Sequence, residues 1–353
     1  MTEKVLMTGN EAMAEAAIRA GCQFYSGYPI TPQNEIPAYM ARRMRQENRV
    51  FIQAESELAA INMILGAACA GFRTMTSSSS PGISLKQEGI SYLSGCQLPA
   101  VIINVMRAGP GLGNISSSQS DYFQATRGGG HGDYFNITLC PWSVEEAAEL
   151  VMLGFDLADY YRNPVLILAD AIVGQMMEPV SFPLKSSFSK GLPSKDWALN
   201  GAKGHSPNSI QSLFLKEGVL CEHNEMLRKK WEKIRENEQK YSTYKVEDAQ
   251  ILIVAYGSQA RIAVEAIDIL REQGVKAGLF RLVTAWPYPC QALKNTAKAV
   301  KKVLVVEQSL GQMIEDVRLA LPEKEINFLG KAGGGIPSIS EIVEAVNNLS
   351  IIN

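Results

Sequence analysis

Three short segments carry residue types that do chemistry. Tyr28-Pro29-Ile30-Thr31-Pro32 supplies a hydroxyl, Glu55-Ser56-Glu57 supplies carboxylates, and Arg107 supplies a guanidinium. Each falls where a strand-like run gives way to a turn or a helix, and in open α/β sheets ligands sit at such strand ends. A carboxylate at a helix start can hydrogen-bond a heteroaromatic nitrogen and shift its tautomer. It can also simply complement the positive end of the helix dipole, worth about 0.3–1 kcal/mol. Taken alone, Glu57 favours that plainer role, and Glu55 competes with it for the functional one. Thr31 lies in a stiff turn, because proline fixes its own φ and restricts the residue before it. The turn presents a hydroxyl to a ligand or is an ordinary proline-rich connection. The planar, permanently charged fork of Arg107 suits a small carboxylate. It equally suits an ion pair with Asp or Glu.

The elements that must position these residues alternate. Asn10 is placed to cap a helix over 11–20 that Gly21 ends. A strand over 23–28 runs into the proline-rich turn, followed by a helix over 33–46 and a short strand over 49–54. Ser56 opens a small-residue helix to position 70. A strand over 74–77 leads to a loop at 78–82. The apolar run 99–106 reads as a strand buried on both faces of a parallel sheet. Ser143 with Glu146 spells a capping box for a helix reaching position 161, and 164–170 is a further buried strand. This alternation predicts an open, mostly parallel α/β sheet covered by helices. From about 178 to 248 the pattern dissolves into a polar stretch and a charged helix over 222–240 whose charges are expected to face water. A smaller α/β unit follows. Its strands fall at 251–255, 276–282, 303–307 and 326–329, with a turn at 256–258, a helix over 260–273 and a last helix over 338–349. The expected division is 1–178, 179–248 and 249–353.

Composition narrows the class. A chain of 353 residues with 46% hydrophobic content can bury two cores. With 34 basic against 36 acidic residues, it has no basic excess for nucleic acid. No apolar run approaches the roughly 20 residues needed to span a membrane, and no signal-peptide pattern opens the chain. A cytoplasmic location is expected. The six cysteines, Cys22, Cys69, Cys96, Cys140, Cys221 and Cys290, are scattered and form no C-x-x-C. They read mostly as small buried hydrophobes, not as cluster or zinc ligands. No metal ligands are assigned on this chain. The glycine-rich stretches 109–113 and 128–133 do not match a dinucleotide fingerprint and read as mobile loops near a site or an interface. Ser77 to Ser80 could form an anion nest or a plain polar turn.

In this order the motifs resemble the α subunit of the 2-oxoacid:ferredoxin oxidoreductases. The likeness rests on Gly27-Tyr28-Pro29-Ile30-Thr31-Pro32, Glu55-Ser56-Glu57-Leu58-Ala59-Ala60, Ser80-Pro81-Gly82-Ile83-Ser84-Leu85 and Arg107-Ala108-Gly109-Pro110. In the second half it rests on Ala255-Tyr256-Gly257-Ser258, on Arg281-Leu282-Val283-Thr284-Ala285-Trp286-Pro287-Tyr288-Pro289 and on Val306-Glu307-Gln308. The stretches Gln119-Ser120-Asp121-Tyr122-Phe123-Gln124 and Gly128-Gly129-Gly130-His131-Gly132-Asp133 look most like the branched-chain, 2-oxoisovalerate branch.

The resemblance implies a pyrimidine-binding domain for thiamine diphosphate plus a smaller transketolase-C-terminal-like domain. It places Glu57 at the aminopyrimidine ring, with Tyr28, Pro29 and Ile30 beside the cofactor and Thr31 and Arg107 at the substrate. The implied activity is oxidative decarboxylation of a 2-oxoacid to an acyl-CoA with ferredoxin reduction. The chain departs from self-contained thiamine enzymes, since Gly132-Asp133-Tyr134 lacks the second glycine of the Gly-Asp-Gly metal–diphosphate motif. Mg2+ and [4Fe-4S] clusters are therefore expected on partner chains. These are a β subunit carrying the diphosphate motif and, in some arrangements, small ferredoxin-like subunits. Two other classes stay in view: a non-catalytic small-molecule-binding or regulatory protein of the same fold, and a self-contained thiamine transferase or decarboxylase.

Overall fold

The computed structural model describes residues 4–351. Apolar runs rich in β-branched residues fold as short parallel strands, as expected for a sheet covered on both faces. Ala100–Met106 and Pro164–Asp170 are buried throughout and pair along their whole length, from Ala100 beside Pro164 to Met106 beside Asp170. They lie within a seven-stranded sheet ordered Thr284–Trp286, Ile137–Leu139, Pro164–Asp170, Ala100–Met106, Thr74–Ser78, Phe24–Gly27, Val50–Gln53. Every pairing is parallel except that of Thr284–Trp286 with Ile137–Leu139. From Phe24–Gly27 the chain runs outward to the edge strand Val50–Gln53, then returns to the other side at Thr74–Ser78. The carboxyl ends of Phe24–Gly27 and Thr74–Ser78 thus frame a switch point, where open α/β sheets bind ligands.

A second sheet is ordered Ile326–Gly330, Lys302–Glu307, Ile251–Tyr256, Ala277–Leu282, Tyr241–Tyr244, and only the last strand is antiparallel. Val5–Thr8 and Met177–Val180 form a separate antiparallel pair. The two halves are closely joined. Thr284–Trp286, from the C-terminal half, completes the first sheet. Buried Arg281 pairs bidentately with Glu146 at 2.6 and 2.7 Å. Tyr122 donates to Asp316 Oδ2 at 2.6 Å. Among the described residues no helix is long and apolar enough to cross a membrane.

Several local expectations need correction. Helix Gly9–Arg19 is capped by Thr8, which exchanges hydrogen bonds with Glu11 in a capping box. Asn10 sits inside the helix, where its amide reaches Pro32 O at 2.8 Å and Glu35 Oε2 at 2.7 Å. The loop expected at 78–82 does not exist. Strand Thr74–Ser78 passes through Ser79 straight into helix Ser80–Gly95, and Pro81 occupies the first turn, where its missing N–H costs nothing. The turn expected at 256–258 is likewise absent, because Ile251–Tyr256 runs directly into helix Gly257–Glu272. Glycine is required there: its φ is +56°, and a Cβ would lie 2.5 Å from Asp170 Oδ2. Ser143 caps helix Val144–Tyr161, but Glu146 accepts from Trp142 N rather than closing the box. The charged helix Val219–Asn237 does more than face water. Leu227, Trp231 and Ile234 are buried at helical spacing, and Lys230 donates to Arg162 O at 3.0 Å while burial pushes its ammonium down to about 7.

Candidate active site

Glu57 opens helix Glu57–Cys69, whose N-cap Ser56 accepts from Ala59 N at 3.1 Å. The carboxylate turns inward and is only 6% exposed, whereas Glu55 lies exposed. Among the described residues nothing hydrogen-bonds the Glu57 carboxylate. Its neighbour is Gly82, in the first turn of the next helix. A Cβ there would fall 2.5 Å from Glu57 Oε1 and 2.0 Å from Ser78 Oγ. The hydroxyls of Ser78 and Ser79 are also buried without partners. A buried carboxylate and two orphan hydroxyls leave hydrogen-bonding capacity for a flat polar ring that brings its own hydrogen-bonding atoms. The aminopyrimidine of thiamine diphosphate is such a ring, and these residues fit it.

The floor of the switch point is polar. Tyr25 OH meets Ser77 Oγ at 2.7 Å, and Ser77 Oγ donates to Gln33 Oε1 at 2.6 Å. The proline-rich turn is held from below by Asn10, which donates to Pro32 O. Tyr28 and Pro29 are exposed, while Ile30 and Thr31 are half-buried.

Arg107 is buried and makes no ion pair among the described residues. Its Nη1 donates to Thr31 O at 3.0 Å and its Nη2 to Leu112 O at 3.1 Å, while Nε is buried without a partner. Two of its five N–H groups are thus engaged, and the rest remain available. The structure brings Arg107 and Thr31 into direct contact. Arg107 borders a cavity of about 370 Å³ that is also lined by Leu310, Gln312 and Gly333 of the C-terminal half. Asp121, also on this cavity, accepts from Ser80 Oγ at 2.6 Å and Asn104 Nδ2 at 2.8 Å. Burial raises its carboxyl above the ordinary range, and those two hydrogen bonds partly counter the effect. Ser80 ties the two clusters together, because its Oγ also accepts from Arg107 N at 3.0 Å.

Reading by residue type singled out neither Asp121 nor Gly82, although Ser80 fell within the candidate anion nest. The available signal was Pro81 at a helix start immediately after a strand. The glycine-rich stretches are anchored, not free. Asn114 N closes 109–113 onto Ala108 O at 3.0 Å, and Gly130 N bonds Tyr134 OH at 2.9 Å. Of the cysteines only Cys22 and Cys140 are buried. Cys69 and Cys96 are half-buried and Cys221 and Cys290 exposed, so the small-hydrophobe reading holds for two. Among the described residues no three His, Cys, Asp or Glu side chains are grouped to hold a metal.

A doubly covered parallel sheet with a buried carboxylate at its switch point is an architecture in which α/β proteins bind ligands. The family model for the thiamine-diphosphate-binding region of pyruvate flavodoxin/ferredoxin oxidoreductases matches residues 15–243, and that for pyruvate:ferredoxin oxidoreductase core domain II matches 249–342. The chain belongs to this family, the 2-oxoacid:ferredoxin oxidoreductase subunits. It is 46% identical to the ketoisovalerate oxidoreductase subunit VorB of Methanothermobacter marburgensis, over 98% of this chain and 97% of that one. It is 36% identical to the 2-oxoglutarate synthase subunit KorA of Methanothermobacter thermautotrophicus, over 98% and 99%. Among solved structures, the 2-oxoglutarate:ferredoxin oxidoreductase of Magnetococcus marinus superposes with a TM-score of 0.86 at 26% identity. That match takes in 98% of this chain, which spans 65% of the other. A split-gene transketolase, at 13% identity and a TM-score of 0.59, shares the fold alone. The relatives are named as subunits of their enzymes.

Proposed function

We propose that the chain is the α subunit of an enzyme that oxidatively decarboxylates a branched-chain 2-oxoacid to its acyl-CoA and passes the electrons to ferredoxin. The observation that carries the reading is the buried, unpartnered carboxylate of Glu57 at the switch point, facing Gly82. The ketoisovalerate oxidoreductase relatives support the branched-chain substrate. Glu57 would hydrogen-bond the aminopyrimidine of thiamine diphosphate and hold a proton at its ring nitrogen, with Tyr28, Pro29 and Ile30 lining the ring. Arg107, its free N–H groups beside the cavity, would orient the substrate carboxylate, and Thr31 would offer its hydroxyl next to it. When bound, the coenzyme supplies the electron sink for loss of carbon dioxide. In this reading residues 1–178 form the pyrimidine-binding domain and 249–353 the transketolase-C-terminal-like domain, joined through 179–248.

The diphosphate, its Mg2+ and the [4Fe-4S] clusters would sit on a β subunit and on ferredoxin-like chains, so this polypeptide alone would be inactive. The test is to isolate the native complex from its cytoplasmic source. A brown assembly with a second chain carrying a thiamine motif, and with bound thiamine diphosphate, is expected. A lone colourless chain without cofactor would refute the proposal.

A further inference from the structure

Asp121 stands at the N-cap of helix Tyr122–Arg127, where an aspartate ordinarily accepts from a backbone N–H of the first turn. Its carboxylate makes no such bond. It turns away from the helix instead, and its Oδ2 accepts from Ser80 Oγ at 2.6 Å and from Asn104 Nδ2 at 2.8 Å. A hydroxyl has one proton to give. Ser80 Oγ gives it to Asp121 and accepts from Arg107 N at 3.0 Å. Asp121 thus reaches the backbone of Arg107 through Ser80, and among the described residues it makes no ion pair with the guanidinium. That group is held by Thr31 O and Leu112 O. The segment carrying Asp121 is gripped from the other half of the chain. Gln312 clasps it on both sides, with Nε2 donating to Ser120 O at 2.6 Å and Oε1 accepting from Phe123 N at 2.7 Å. Gln312 is itself fixed by the fully buried carboxylate of Glu307, which accepts from Gln312 N at 3.1 Å and from Met313 N and Ile314 N.

We propose that Asp121 is a positioning residue for Arg107, and that Gln312 of the C-terminal half holds Asp121 in turn, so that the aim of the guanidinium depends on the contact between the two halves. This rests on the reading of Arg107 as the group that orients the substrate carboxylate. Arg107 lies just past the end of strand Ala100–Met106, where the sheet ladder no longer fixes the backbone. Two anchors take over there. One is the isolated bridge between Arg107 and Ser117, and the other is the Ser80 hydroxyl that Asp121 orients. Both come from or lead to the stretch 117–123, which also exchanges hydrogen bonds with Gln308. Gln119 N donates to Gln308 O at 2.9 Å, and Gln308 N donates to Gln119 Oε1 at 3.0 Å. A long side chain magnifies any shift at its own backbone, and a misplacement of about 1 Å at a reacting centre can cost about 100-fold in rate. Asp121 lines the same cavity as Arg107, and its Oδ1 makes no hydrogen bond among the described residues. An asparagine at this position would therefore keep both hydrogen bonds through one oxygen.

The test is a double-mutant cycle in the assembled complex, with KM and kcat for 2-oxoisovalerate read from coenzyme-A-dependent viologen reduction. Asp121→Ala removes both hydrogen bonds and is expected to raise KM about tenfold with a smaller change in kcat, the pattern of lost substrate binding. Asp121→Asn is expected to return KM toward the original value. In an Arg107→Ala background, Asp121→Ala should raise KM no further, because a residue that acts through Arg107 then has nothing left to aim. Gln312→Leu should raise KM by less than Asp121→Ala and likewise add nothing to Arg107→Ala. An unchanged KM in Asp121→Ala, or an effect that simply adds to that of Arg107→Ala, would overturn the inference. If Asp121→Ala fails to assemble, Ser80→Ala breaks the link to Arg107 N and takes its place in the cycle, with the same outcomes expected. Arg107→Ala by itself separates the two claims. If it leaves KM unchanged, the reading of Arg107 fails whatever Asp121 does; if it raises KM while the cycle is additive, the positioning role alone fails.

Discussion

Replacing Lys86 with methionine should stabilise the protein at neutral pH, and the gain should fade as pH rises. Burial takes this lysine from its ordinary 10.5 to about 7. At about 1.4 kcal/mol per pH unit, neutralising it within the fold at pH 7 amounts to about 5 kcal/mol as an upper bound. Methionine has a similar volume and no charge. Against the gain stands Thr76 Oγ1, which loses its 2.7 Å partner; an unsatisfied buried hydroxyl costs about 1–3 kcal/mol. The net expectation is about 2–4 kcal/mol in favour of the variant at pH 7, within the range seen when buried charges give way to apolar side chains. Between about 7 and 10.5 the unfolded chain binds more protons at this position than the folded chain. Stability of the unaltered protein therefore rises with pH across that window. The variant lacks this rise, so its advantage vanishes before pH 10.5 and the cost of the unpaired Thr76 hydroxyl remains. Differential scanning calorimetry of both proteins at pH 7 and pH 9.5 measures this. A variant less stable at pH 7, or an advantage equal at both pH values, would refute the reasoning.

Three further outcomes are expected at the site. Glu57→Gln should abolish coenzyme-A-dependent reduction of ferredoxin or viologen while leaving assembly intact, as judged by size-exclusion chromatography. Normal turnover would remove Glu57 from the mechanism. Arg107→Ala should raise KM for the 2-oxoacid about 10- to 100-fold, as expected for a lost charge-assisted hydrogen bond of about 1.5–3 kcal/mol; an unchanged KM in steady-state assays would count against carboxylate binding. Gly82→Ala should weaken thiamine diphosphate binding at least about tenfold by calorimetry, because the added methyl must displace Glu57 or Ser78. Wild-type affinity would show that the pocket has room the structure denies.

Burial was legible in the sequence wherever it was written in apolar runs. The strands at 100–106 and 164–170 and the helix opened by Ser56 lie within about a residue of their expected bounds, since hydrophobic periodicity and an N-cap are local signals. Local signals cannot say which sheet a strand joins, and Thr284–Trp286 crosses to the first sheet by a tertiary choice. Thr8 and Asn10 compete as caps, and only the capping box with Glu11 decides between them. Residue type and spacing pointed to Glu57, Thr31 and Arg107, and the structure joins the last two directly. Asp121 and Lys86 stayed hidden because a polar residue in a sequence reads as exposed until a partner such as Ser80 or Thr76 is seen beside it.

The most direct test of the whole account is a structure of the assembled complex with thiamine diphosphate bound. The account predicts the Glu57 carboxylate within hydrogen-bond distance of the pyrimidine ring nitrogen, with the diphosphate and its metal gripped by a different chain. A coenzyme enclosed by one copy of this polypeptide, or a ring lying away from Glu57, would contradict it.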